Sequence, residues 1–78
     1  MIYNRIALLR ADAQLSRQQL AEQVGVNYQT IGFIERGDYN PSLELAFKIA
    51  GVFGLQVTEV FSDKPWPSLL VNKQREEI

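Results

Sequence analysis

The chain has 78 residues, 46% hydrophobic and 22% charged, and eight Lys and Arg against nine Asp and Glu leave a net charge of −1. This is the composition of one small globular domain rather than a disordered segment, and a core of this size gains from burial against a second copy. There is no cysteine and no histidine, which excludes disulfides, thiolate metal sites and the commonest general base and metal ligand.

Ile2 to Ala13 reads as a helix, with an extended lead-in at Ile2-Tyr3 as the alternative. Ile6, Leu9 and Arg10 share one stripe, and an arginine on an apolar stripe needs an acid. Ser16 opens a second helix, which runs to about Gln23. Ser16 and Gln19 stand at the spacing of a capping box, in which each side chain bonds the other residue's amide. Gly25 supplies the positive φ of the tight turn that follows. Asn27 caps a third helix that runs to about Arg36 and stops at Gly37. Asp38-Tyr39-Asn40-Pro41 reads as a loop, because Pro41 pushes Asn40 out of helical geometry. Ser42 caps a fourth helix, Leu43 to Phe53, whose buried face is Leu45, Ala46, Ile49, Ala50 and Phe53. A short fifth helix begins near Thr58 and ends near Phe61.

Beyond Ser62 the two prolines of Lys64-Pro65-Trp66-Pro67 exclude a helix. Ser68 to Val71 is a candidate extended segment, and Lys73 to Ile78 is polar and expected to fray. The expected architecture is all-α, a five-helix bundle over residues 1–62 followed by a non-helical tail, 63–78. The amino terminus is too short and polar for a signal peptide, and no run approaches the ~20 apolar residues that span a bilayer. A soluble cytoplasmic protein without membrane partners is expected.

Residues 16–36 are the most informative part of the chain. Leu20, Ala21, Val24, Val26, Ile31 and Ile34 let the second and third helices share a core. One face of the third helix is then left free, and it carries Tyr28, Gln29, Gly32, Phe33 and Arg36. A helix held on another helix, with hydrogen-bonding side chains at its amino end, is the device that places side chains in a DNA major groove. The charge balance does not by itself point to nucleic acid. In the first forty residues Arg5, Arg10, Arg17 and Arg36 are matched by Asp12, Glu22, Glu35 and Asp38. Weak non-specific binding follows, with specificity resting on shape, amides and neutral hydrogen bonds.

These segments resemble a known family. Leu15-Ser16-Arg17-Gln18-Gln19-Leu20-Ala21, Val24-Gly25-Val26, Gln29-Thr30-Ile31, Ile34-Glu35-Arg36-Gly37 and Tyr39 to Ala46 are similar to the helix-turn-helix domain of the phage repressor and Cro superfamily, the XRE type. The likeness covers residues 5–61. Within the superfamily the chain resembles the short, dimeric, cytolysin-repressor-like subgroup. The resemblance implies a lambda-repressor-like five-helix fold, with a small two-stranded pairing of the amino terminus and the segment after the fifth helix. It implies a sequence-specific regulator, usually a repressor, that binds inverted repeats as a homodimer on double-stranded DNA. It also implies an ion pair between Arg10 and Glu35, which meets the need of the stripe arginine. Tyr28, Gly32 and Phe33 depart from the residues usual at those positions, and the tail from Lys64 has no counterpart.

Gln29 is the best candidate base reader, since its amide pairs bidentately with the adenine edge. Tyr28 either donates its hydroxyl to a base or phosphate or packs on the second helix. Phe33 has three readings: a contact with thymine methyl groups, a partner-binding residue, or a ring folded over Tyr39. Gly32 lets the backbone sit close to the duplex. Asn27 is first a cap and second a candidate base contact. Arg17 and Gln18, at the amino end of the second helix, are candidate phosphate ligands, with Thr30, Arg36, Tyr39 and Asn40 around the reading helix. Lys48 reads as a solvated charge.

One short helix reads too little DNA to be selective, so a two-fold dimer is expected. Phe53, Leu55, Val57, Val60, Phe61 and Trp66 are its candidate contacts, and the alternative is that several of them close the bundle. Other roles for the same chain are an antitoxin whose tail holds a toxin, or a protein-interaction module that has lost DNA binding. No cofactor is expected. Nothing in the sequence forms a catalytic constellation.

Overall fold

In a computed structural model, which describes residues 1–66, the chain runs β1 (Tyr3–Asn4), α1 (Ile6–Ala13), α2 (Arg17–Val24), α3 (Tyr28–Glu35), α4 (Leu43–Val52), α5 (Val57–Val60) and β2 (Phe61–Ser62). Five helices form as the periodicity predicts, and each of the middle three starts at the cap legible in the sequence. At α2 the Ser16 hydroxyl accepts from the Gln19 amide at 3.0 Å and Gln19 Oε1 accepts from the Ser16 amide at 2.8 Å. Asn27 Oδ1 accepts from the Gln29 amide at 2.8 Å, and the Ser42 hydroxyl accepts from the Leu45 amide at 3.1 Å. These contacts satisfy amides that a helix start leaves free. Gly25 closes α2 with φ 76°, the left-handed conformation that a side chain would strain.

The first helix begins later than its periodicity suggests. Tyr3 and Asn4 pair antiparallel with Ser62 and Phe61 respectively, and the Arg5 amide continues the attachment to the Val60 carbonyl at 3.0 Å. A partner from the far end of the chain thus takes the backbone that a longer helix would have used. Asn4 makes the transition. Its Oδ1 accepts from the Ile6 amide at 3.1 Å, and its Nδ2 donates to the Ile34 carbonyl at 2.9 Å. The same side chain starts α1 and ties the amino-terminal strand to α3.

Ile6, Leu20, Ala21, Val24, Ile31, Ile34, Ala46, Ile49, Ala50, Val60 and Phe61 form one core, to which every helix contributes. Leu9, Val26, Leu45, Phe53, Leu55 and Val57 close its edge. α2 and α3 are therefore clamped at a fixed angle by shared burial, and it is this that presents the outer face of α3.

Candidate nucleic-acid interface

α3 buries Ile31, Gly32 and Ile34 and turns Tyr28, Gln29 and Phe33 outward. Tyr28 is 53% exposed and Phe33 47%, so both rings stand at the surface. Arg36, Tyr39 and Asn40 beyond the helix are exposed as well, as are Arg17 and Gln18 at the start of α2; Thr30 is half-buried. Asn27 lies at the same end as Tyr28, with its Oδ1 engaged as the cap.

Glu35 lies behind this face. Its side chain is 4% exposed and accepts two bonds from Arg10, Nε to Oε2 at 2.6 Å and Nη2 to Oε1 at 3.2 Å. Arg10 Nη1 donates to the Leu15 carbonyl at 3.0 Å, so the arginine of the apolar stripe has its acid and a backbone acceptor too. A second arginine reaches the same carboxylate: Arg17 Nε donates to Oε1 at 3.0 Å. Burial alone would push the Glu35 carboxyl up, but the hydrogen bonds and charges of Arg10 and Arg17 together hold it below its ordinary value.

Gly32 corrects the helical-wheel reading. It is buried, not open, because the guanidinium groups of Arg17 and Arg36 lie over it. A Cβ built there would meet Arg36 Nη1 at 3.3 Å and Arg17 Nη1 at 3.9 Å. Arg36 is held in turn by Asp38, Nε to Oδ2 at 3.3 Å, and by the Phe33 ring, whose centroid is 5.1 Å from its guanidinium carbon. Arg17, Tyr28, Gln29, Gly32, Phe33 and Arg36 line a cleft of about 350 Å³. On its other side Phe33 faces a second cleft with Thr30, Asp38 and Tyr39. Lys48 pairs with Glu44 at 3.4 Å, both well exposed.

The six candidate dimer contacts separate. Val60 is fully buried and Phe61 is 8% exposed; both belong to the chain's own core and have little or no surface to give a partner. The apolar excess in the sequence cannot by itself divide core from interface, because either use removes the same side chains from water. Phe53, Leu55 and Val57 are half-buried and keep some surface. Trp66 lies elsewhere, under the Arg5 guanidinium at 4.2 Å, in a cleft with Met1 to Asn4 and Gly37. Readings of the tail beyond Trp66, including the extended segment and the toxin-holding role, fall outside the described residues. Among the described residues no helix is long and apolar enough to cross a membrane.

Sequence reasoning missed the Asn4 tie, the second arginine on Glu35 and the cover over Gly32. The only signal for the last was a glycine in a helix interior, where it is disfavoured.

The chain is similar to known helix-turn-helix proteins. A helix-turn-helix family matches residues 6–60. An uncharacterised HTH-type transcriptional regulator of Archaeoglobus fulgidus is 47% identical over 57 residues, covering 73% of this chain and 80% of that protein. The immunity repressor protein of Bacillus phage phi105 is 35% identical over 60 residues, covering 77% of this chain and 42% of the repressor. Among solved structures, the restriction-modification controller protein C.AhdI of Aeromonas hydrophila superposes with a TM-score of 0.66 at 33% identity, over 70% of this chain and 83% of the controller.

Proposed function

The chain belongs to the helix-turn-helix family of DNA-binding transcriptional regulators, of the XRE type, and from that premise we propose that it is a repressor that binds an inverted-repeat operator as a homodimer. One observation carries the reading. α3 is capped at Asn27, clamped on α2 by shared burial, and turns Tyr28, Gln29 and Phe33 away from the core. In a major groove these are a hydroxyl, a bidentate amide and an apolar ring, suited to base edges and thymine methyl groups. Gln18 at the amino end of α2, with Thr30, Tyr39 and Asn40 around α3, would hold phosphates on either side. Asn27 keeps its Nδ2 for a base or the backbone while its oxygen caps the helix. Half-buried Phe53, Leu55 and Val57 supply the dimer surface.

Selection of duplexes from a random library by the full chain tests this. A two-fold symmetric motif with half-sites about one helical turn apart is expected, and Gln29→Ala should relax one position in each half-site. An unsymmetrical motif overturns the dimer, and no enrichment even at low salt overturns DNA reading. Sedimentation equilibrium checks the dimer independently.

A further inference from the structure

We propose that Arg17 and Arg36, converging over Gly32, form a clamp for one guanine in each half-site and take its O6 and N7. This rests on α3 being the DNA-reading helix and deepens that reading by naming a base. Each arginine is anchored through Nε, Arg17 to Glu35 and Arg36 to Asp38. Among the described residues the terminal nitrogens of both have no protein acceptor. Their Nη1 atoms approach the same point, within 4 Å of the place a Cβ on Gly32 would occupy. Two guanidinium groups facing one site repel one another, and their compensation is incomplete, because Glu35 is shared with Arg10. The cleft is therefore an acceptor site held open by its own anchors. It also gives a chain of net charge −1 a local excess of positive charge where a groove would meet it.

Position and shape decide which acceptor fits. Gly32 lies one helical turn beyond Tyr28 and Gln29, on the side of α3 they share and beneath the two guanidinium groups, whereas phosphate ligands flank a reading helix. This moves Arg17 and Arg36 from the backbone role that their places in the sequence suggest. The exposed Phe33 ring, against which Arg36 rests, makes one wall apolar and suits a planar base edge. Guanine presents two acceptors side by side in the major groove. Adenine offers an acceptor and a donor, and the donor would face a guanidinium. Glycine is disfavoured inside a helix, and here its bare Cα leaves room for Arg36, whose Nη1 lies 3.3 Å from where a Cβ would stand.

The test uses the full chain and its selected duplex, with the guanines replaced singly by 7-deazaguanine, which lacks the N7 acceptor. One replacement per half-site should lower affinity about five- to a hundredfold. Gly32→Ala should fold at least as stably, since alanine is the better helix former. It should lose preference at that same base pair while keeping preference at the pair read by Gln29. Arg36→Lys should weaken the preference in the same place. If no 7-deazaguanine changes affinity and a neutral methylphosphonate linkage does so through Arg17 and Arg36, the pair holds backbone and the clamp is wrong. If Arg36→Ala leaves base preference unchanged, the clamp is wrong as well. In both cases the protein still binds its operator, which separates this failure from one in which no duplex binds at all.

Discussion

Arg17 and Glu35, eighteen residues apart, are bonded at 3.0 Å, Nε to Oε1, and the carboxylate that holds Arg17 is also the buried partner of Arg10. One acid thus joins the start of α2 and the end of α1 to α3. The arrangement lets a core ion pair aim a surface arginine.

Removing Glu35 leaves Arg10 without its acid, whereas removing Arg10 leaves Glu35 still bonded to Arg17. Glu35→Leu should lower unfolding free energy by about 3–5 kcal/mol, and Arg10→Met by less. Together they should cost clearly less than the two added, since neither charge is then left alone. Arg17→Ala, at the half-exposed end of the network, should cost about 0–1 kcal/mol. Urea unfolding of the four variants checks this, and equal losses for Arg10 and Arg17 would refute the division.

The same carboxylate sets a pH dependence. Glu35 is held below its ordinary 4.5 in the folded chain, so the unfolded chain binds its proton first as pH falls. Its contribution is complete above about 4.5 and is lost as pH drops through the lower folded value. Stability should be flat from neutrality to about pH 5 and fall in more acid solution. Glu35→Gln should start less stable and lose less over that acid range. Thermal unfolding across pH 3–7 reads both slopes.

Asn4 carries two bonds that no other side chain can replace, to the Ile6 amide and the Ile34 carbonyl. Asn4→Ala should cost about 1–3 kcal/mol, the range for a backbone group left without its partner. Amide exchange should quicken first at Ile6 and along Tyr3–Asn4, because the strand loses its tie to α3. Uniform quickening over the whole chain would point to a global effect instead.

Gln14 ends α1 with φ 55°, the one non-glycine residue with positive φ among the described residues. That conformation costs a side-chain-bearing residue about 1–2 kcal/mol, part of which glycine returns as chain entropy. Gln14→Gly should therefore stabilise the chain by about 0.5–1 kcal/mol, measured as a rise in urea midpoint with unchanged slope. A loss of stability would mean that the Gln14 side chain makes contacts that matter more than its backbone.

Much of this molecule was decided locally and is legible in sequence. The caps at Ser16, Asn27 and Ser42 act over two or three residues, and Gly25 acts at its own φ. The inward faces of α2, α3 and α4 follow from a period of 3.6. So the five helices, the family and the outward Tyr28, Gln29 and Phe33 could be read in advance, and so could the need of Arg10 for an acid.

Tertiary structure decided what several distant segments share. Local pattern gives the residues around Gly32 a face but cannot say that Arg17 from α2 and Arg36 from beyond α3 will cover it. Glu35 can be paired with Arg10 by need, but its second arginine depends on the angle at which α2 meets α3. Val60 and Phe61 are core rather than interface because β2 returns to β1 and closes the bundle over them. Each outcome comes from side chains that meet only after the helices dock, and docking angle and volume are properties of the packed core, not of any single stretch of chain.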